Sequence, residues 1–193
     1  MKCRILVASG LVLFAAVLAW TWWPKEFIKN PDPNHTHADV AVWVDGKKID
    51  FSLEKYMSGL EEKGDDHDHI HLHDYLHLHD GVGHVIHRHK PGLSLQEFFD
   101  SLGFEFKEPT RWRMFVNTIE HEFDLNYVFN DTDYILLSNA AGSAEVLDQL
   151  EQMTRDACLY SRTCPWRGEP PAENCIADPS VPCVAPEETW LWP

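Results

Sequence analysis

The chain is poor in basic side chains: 16 Lys and Arg stand against 31 Asp and Glu, a formal charge of −15 with histidine neutral. A surface of that sign repels phosphate backbones, so nucleic acid is not an expected partner. No C-x-x-C occurs in the 193 residues, which argues against a thioredoxin-type redox centre. No H-E-x-x-H occurs either, so the helical zinc-hydrolase arrangement is missing. Cysteine is absent between Cys3 and Cys158. A metal site built in that stretch has no thiolate, which disfavours Cu⁺ against Zn²⁺, Cu²⁺ or Ni²⁺.

What the chain has instead is histidine, twelve in all. Protonating every one would move the formal charge from −15 to −3 (−15 + 12), a large response to acid. The run HDHIHLHDYLHLH, residues 67–79, puts histidine at every odd position except Tyr75. A period of two is that of a strand whose faces meet different surroundings. The histidines fall in three pieces: His35 and His37; His67, His69, His71, His73, His77 and His79; and His84, His87 and His89. His121 stands apart as an ordinary surface residue.

The termini suggest an exported chain. Lys2 and Arg4 precede an uncharged run over 5–23, which as a helix is roughly 28 Å long, just enough for a bilayer. The basic flank places the N-terminus in the cytoplasm and the remainder outside, with Trp20, Trp22 and Trp23 at the outer interface. The expectation is a single-pass cell-membrane protein with its domain extracytoplasmic. A leader cleaved near Ala19, within Val17-Leu18-Ala19, is the alternative. Cys158, Cys164, Cys175 and Cys183 form a Pro-rich C-terminal group, read as two disulfides with three connectivities open.

These signals divide the chain into an anchor over 1–23, a linker over 24–34, a His-rich domain over 35–139, a helix within 140–157 and a Cys-rich tail over 158–193. Within the domain, Ala38, Val40, Val42 and Val44 make one apolar strand face. Asp45-Gly46 makes a two-residue turn, and Ile49, Phe51 and Leu53 continue the alternation as the second arm of a hairpin. PGLSLQEFFDSLGF is a helix: Ser94 and Glu97 have capping-box spacing, Leu95, Phe98, Phe99 and Leu102 form a stripe, and Gly103 suits its end. Strands follow in RWRMFVN, IEHEF and NDTDYILLS, with a turn at Asn117-Thr118. A second helix is expected from Ser143 to about Arg155, with Val146, Leu147, Leu150 and Met153 on its packed side.

This order resembles the β-grasp fold of ubiquitin-like domains, and NDTDYILL is similar to the last strand of small sulfur-carrier proteins. The resemblance implies an α+β class, a β-grasp-like sheet with one main packing helix, behind a transmembrane helix and ahead of a second helix and a stapled tail. It does not imply carrier chemistry. The carriers need a free terminal Gly-Gly, whereas here the chain runs on through Asn139-Ala140-Ala141-Gly142.

Parity sets the histidine faces. His35 and His37 lie opposite Val40, Val42 and Val44, and His77 and His79 lie opposite Leu76 and Leu78, so both pairs occupy the face not committed to the core. The second hairpin decides the rest. A two-residue loop, Gly81-Val82, pairs His79 with His84 and turns His87 and His89 to the other face. A three-residue loop, Gly81-Val82-Gly83, pairs His77 with His87, aligns His79 and His89, and sends Ile86 to join Leu76 and Leu78. The second register gives one apolar and one imidazole face, and is the expected one, with Gly83 serving a bulged loop. His35, His37, His77, His79, His87 and His89 are then candidate ligands of Zn or Cu, because opposed strand residues bring imidazoles within reach of one ion. His67, His69, His71, His73 and His84 are possible additional ligands. Asp39, Asp74 and Asp80 are candidate ligands or carboxylates that orient ring N–H groups.

The blocks HTHADVAVWVDGKKIDFSLEKYM, HLHDGVGHVIHRHKPGLSLQEFFDSLGF and CLYSRTCPWRGEPPAENC resemble a group of exported, single-anchor, His-rich proteins. That group shares H-x-H-A-D, V-D-G-K-x-I-D-F-S and H-L-H-D-G-x-G-x-V-I-H-x-H, and the resemblance covers about 35–183. Its repeated H-x-H pairs match His35, His37, His77, His79, His87 and His89, and DDHDHIHLHDY is this chain's own elaboration. The function expected first is a membrane-tethered, extracytoplasmic metal-binding protein for capture, buffering or delivery to a protein partner. A metal-dependent oxidase or hydrolase at the same site is the second reading, with Asp39, Asp74 or Asp80 as base. HIHLHDYLH is similar to a cupin segment but lacks the usual Glu and the Gly-rich partner motif. A structural or adhesion module, or a metal-free pH-responsive surface, is the third reading.

Overall fold

The structure, a computed structural model, describes residues 28–57, 75–108 and 111–171. Seven strands form one mixed sheet: β1 (Thr36–Val44), β2 (Lys47–Lys48), β3 (Leu76–His77), β4 (Val85–Arg88), β5 (Arg113–Val116), β6 (Ile119–His121) and β7 (Tyr134–Ser138). The order is β3-β4-β1-β7-β5-β6, with β2 attached to β1. β1 and β7 pair in parallel at the centre, and every other pair is antiparallel.

Turn chemistry explains the hairpins. Asp45 and Gly46 take φ of 50° and 76°, and Asn117 and Thr118 take 52° and 72°. Paired positive φ values suit the two-residue turns whose twist matches the strands they join. Val44 accordingly faces Lys47, and Val116 faces Ile119. The arm expected to continue through Leu53 stops at Lys48. One edge of β1 is divided between β2, opposite Trp43 and Val44, and β4, opposite 36–39. Phe51 still buries itself in the core, whereas Leu53 is half exposed.

Helix α1 (Leu95–Ser101) starts at the expected capping box: the Glu97 amide donates to Ser94 Oγ, and the Ser94 amide donates to the Glu97 carboxylate. Leu95, Phe98, Phe99 and Leu102 pack on Ala38, Val40 and Val42 of β1, on Leu76, Leu78 and Ile86, and on Ile135 and Leu137 of β7. The other face of the sheet is covered too. Helix α2 (Ser143–Glu151) places Val146 against Ala41, Trp43, Phe115 and Leu136, and helix α3 (Ala157–Tyr160) places Ala157 and Tyr160 against Val85. The expected second helix thus stops at Glu151, and Leu147, expected on its packed side, is exposed. The histidine face, expected to be uncommitted, is roofed by the C-terminal segment.

The expected class and placement need correction. The transmembrane helix over 5–23, the single-pass placement built on it and the cleavage near Ala19 fall outside the described residues. Among the described residues no helix is long and apolar enough to cross a membrane. The longest, α2, has nine residues, about 13 Å at 1.5 Å per residue against the roughly 30 Å of hydrocarbon. The β-grasp-like sheet with one main packing helix is replaced by a mixed seven-stranded α+β sheet with helices on both faces. Cys158 and Cys164 form a disulfide. Cys175 and Cys183, and the run His67, His69, His71 and His73, lie outside the described residues.

The β3–β4 register is the expected one, His77 opposite His87, with Ile86 in the core beside Leu76 and Leu78. Its turn differs. Asp80 and Gly81 have φ of 56° and 71°, and the Val82 amide donates to the His79 carbonyl at 3.0 Å. Gly83 is needed for a separate reason: a Cβ there would lie 2.2 Å from the Ser52 nitrogen and 2.3 Å from the Phe51 carbonyl carbon. Gly83→Ala is expected to cost about 3 kcal/mol, because backbone and not a flexible side chain must yield. Gly81→Ala, where nothing lies within 4 Å, is expected to cost only about 1 kcal/mol of left-handed strain. Urea denaturation of the two variants checks the ordering.

Candidate metal centre

Two ladder registers assemble the site. β3 places His77 opposite His87, and β4 places His87 opposite His37, so three imidazoles form one row across three strands. One pleat further along, His89 lies between Tyr75 and His35, its amide donating to the Tyr75 carbonyl at 2.8 Å. One pleat the other way, His79 follows the end of β3 while Val85 faces Asp39. Because strand side chains alternate, 35, 37, 39, 77, 79, 85, 87 and 89 share one face.

Six histidines from this grid are buried, with relative exposures of 6% for His35, 1% for His37, 2% for His77 and His79, 0% for His87 and 5% for His89. Their rings are continuous. Centroids are 4.5 Å apart for His35 and His37, 4.1 Å for His35 and His89, and 4.7 Å for His37 and His87. They are 3.9 Å apart for His79 and His87 and 5.1 Å for His77 and His89. His87 is the hub. Tyr160 from α3 closes the cluster, its ring 4.9 Å from His87 and 5.5 Å from His37.

Hydrogen bonds select the tautomers of two members. The Ser161 hydroxyl donates to Asp131 Oδ1 at 2.5 Å and lies 2.7 Å from His37 Nδ1. With its one proton committed to the carboxylate, Ser161 accepts from His37 Nδ1–H, leaving Nε2 as the basic nitrogen. Asp131 also accepts from the His37 amide at 3.0 Å. His79 Nδ1 lies 2.7 Å from Asp80 Oδ2, which likewise makes Nδ1 the donor. Carboxylate-oriented imidazoles of this kind are the usual support of metal-ligating histidines.

Ligand atoms of His35, His37 and His87 all lie within 4.8 Å of one another, a spacing that can hold a metal ion. Nε2 of His35 and Nε2 of His37 are 3.2 Å apart. Two nitrogens bound at about 2.0–2.1 Å to a tetrahedral ion are separated by roughly 3.3–3.4 Å, so this pair is set for a shared ion with little movement. The donor set is all nitrogen.

The structure sorts the remaining candidates. His84 is partly exposed, with Nε2 3.0 Å from Asp156 Oδ2, and is not part of the ring cluster. His121 is exposed on β6. Asp80 orients His79, as expected of a supporting carboxylate, and Asp74 lies outside the described residues. Asp39 is not placed as a ligand. Its Oδ1 accepts from Thr154 Oγ1 at 2.6 Å and the Asp156 amide at 2.8 Å, and its Oδ2 accepts from the Ala157 amide at 3.0 Å. Burial pushes its carboxyl above the usual range, and these three bonds oppose that rise. Asp39 therefore pins the start of α3, the element that carries Tyr160. Ser161, Asp131 and Tyr160 went unrecognised in the sequence, where no spacing links Ser161 to His37, 124 positions away.

Comparison with family models, with curated proteins and with solved structures finds no match. The functional reading rests on the geometry.

Asp39→Ala strips three hydrogen bonds from the start of the roof and leaves two backbone amides without this acceptor. A loss of about 2–4 kcal/mol is expected, measured by denaturant titration, with amide exchange accelerating first over residues 154–161.

Proposed function

We propose that this chain binds a divalent transition-metal ion, Zn²⁺ or Cu²⁺, through His35, His37 and His87, and serves to capture, buffer or deliver it. The observation that carries the reading is three buried imidazoles, from β1, the residue before it and β4, whose ligand atoms all lie within 4.8 Å of one another. The selected tautomer of His37 supports it, since Ser161 and Asp131 leave Nε2 basic on the side nearest His35. The chain's net charge of −15 favours cation approach, while the imidazoles supply affinity and selectivity. Relative exposures of 6% or less at the three rings favour retention of an ion over turnover of a substrate, which needs an open position. Delivery to a protein partner requires the α3 roof to lift, exposing the edge of the cluster.

Equilibrium competition against a chromophoric chelator, on protein purified without a metal column, tests the assignment. His37→Ala and His87→Ala are each expected to weaken Zn²⁺ or Cu²⁺ binding by at least 100-fold. Ser161→Ala is expected to weaken it by about 10–100-fold, the usual effect of losing a group that orients a ligand. His121→Ala should leave it unchanged. Unaltered affinity in both His37→Ala and His87→Ala would remove this site.

A further inference from the structure

The segment that covers His37 and His87 is closed by a bond that thiols can break. We propose that the Cys158–Cys164 disulfide is a reducible gate on the metal centre: a dithiol opens it, and opening it weakens the hold on the ion. This regulation rests on the metal-binding reading above.

The coupling runs through the closed loop itself. The bond joins residues six positions apart, and between them lie Tyr160 and Ser161. The Tyr160 ring is 4.9 Å from His87 and 5.5 Å from His37, and the Ser161 hydroxyl is 2.7 Å from His37 Nδ1. Two of the three candidate ligands thus rest against side chains held inside the loop. Helix α3 has only four residues, too few to persist as a helix alone. The cross-link removes conformations otherwise open to the detached segment. Once it is cut, the segment gains more freedom by leaving His37 and His87. Loss of the orienting serine then weakens the centre by about 10–100-fold.

The bond is also placed to react. Cys158 is partly exposed and Cys164 is buried, and exposed disulfides are the more labile ones. The reductant's first thiolate attacks Cys158 Sγ. A new S–S bond forms there, the Cys158–Cys164 bond breaks, and the Cys164 sulfur leaves with the electron pair and takes up a proton. The reductant's second thiolate then attacks its own sulfur in the mixed disulfide and expels Cys158 as a thiolate. The protein gains two electrons, and the dithiol leaves as a disulfide, having supplied the two protons. Arg167 stands beside that last leaving group, its Nη1 3.6 Å from Cys158 Sγ and its Nη2 donating to Asp156 Oδ1 at 2.9 Å. A neighbouring guanidinium favours the thiolate.

The test uses the full chain with His67, His69, His71 and His73 all replaced by Gln, so that Zn²⁺ affinity reports the cluster. Cys158→Ser combined with Cys164→Ser removes the bond without adding a thiol ligand. In chelator competition it should bind Zn²⁺ about 10–100-fold more weakly. By linkage, Zn²⁺ must disfavour reduction by the same factor, lowering the potential of the bond by about 30–60 mV for two electrons. That shift is read on the chain with its cysteines intact, equilibrated in glutathione buffers of graded potential with and without saturating Zn²⁺. Alkylation of Cys158, followed by peptide mass spectrometry, gives the reduced fraction. This readout stands even where the double variant fails to fold, and the shift should vanish in His37→Gln. A potential that Zn²⁺ leaves unchanged or raises overturns the gate while the metal centre stands. Equal affinity in the double variant, or a shift that persists in His37→Gln, overturns it too. No Zn²⁺ bound by the oxidised chain removes the metal-binding reading and the gate with it.

Discussion

The register between β1, β4 and β3 is the constraint on which everything else depends. Pairing His37 with His87 and His87 with His77 is one geometric fact with two consequences. It sends Ala38, Ile86, Leu76 and Leu78 into the core under α1, and it gathers six imidazoles on the reverse face. A slip of one residue would put imidazoles against Phe98 and Phe99 and aliphatic groups under Tyr160. The apolar core thus enforces the site, because burying those aliphatic groups is worth roughly 1.5–3 kcal/mol per side chain. Placement of the candidate ligands is a by-product of hydrophobic sorting in a strand of period two.

The second dependence is on the roof. A polar face as large as this one is costly to leave under apolar cover, and the cover here is itself tied down by polar groups. Asp39, on the imidazole face, accepts two backbone amides and a hydroxyl from the chain entering α3. Asp131, on the turn before β7, reaches the far end of α3 through Ser161. The Cys158–Cys164 disulfide closes the loop that carries both Tyr160 and Ser161. Three separate ties, two electrostatic and one covalent, hold a segment that α3, with four residues, is too short to stabilise as a helix alone. The Cys158–Cys164 bond, within the tail where two disulfides were expected with their connectivity open, also closes the roof.

Legibility followed the range of the forces involved. Features set by neighbours in the chain were readable: the Asp45-Gly46 and Asn117-Thr118 turns, the capping box of α1, and the register that places His77 against His87. The extent of the first hairpin was not, because the place beside β1 expected for residues 49–53 goes partly to β4, a competition between distant segments. Asp39 was readable as a carboxylate on the histidine face, open there as a ligand, a supporting carboxylate or a base, but not as the anchor of the roof, since its partners lie 115 to 118 positions away. Nor did parity alone distinguish a face open to solvent from one covered by a later segment. Alternation says that two environments differ, and the roof determines what the second one is.

That the second environment is closed bears on why imidazole stands there at all. On an open sheet face six histidines would be solvated, and a pH-responsive surface would be a sufficient account of them. Under Tyr160 and α3, with exposures of 0–6%, solvation is not the explanation, and aliphatic side chains of similar volume would fill the space without any polar group to satisfy. Sequences depart from that simpler solution where something other than packing is being specified. The tautomer of His37, set by a serine whose proton belongs to a carboxylate, leaves Nε2 able to accept a cation while the same bonds tie down the roof. The cost of a polar interior and the orientation of its nitrogens both fit the ion proposed among His35, His37 and His87.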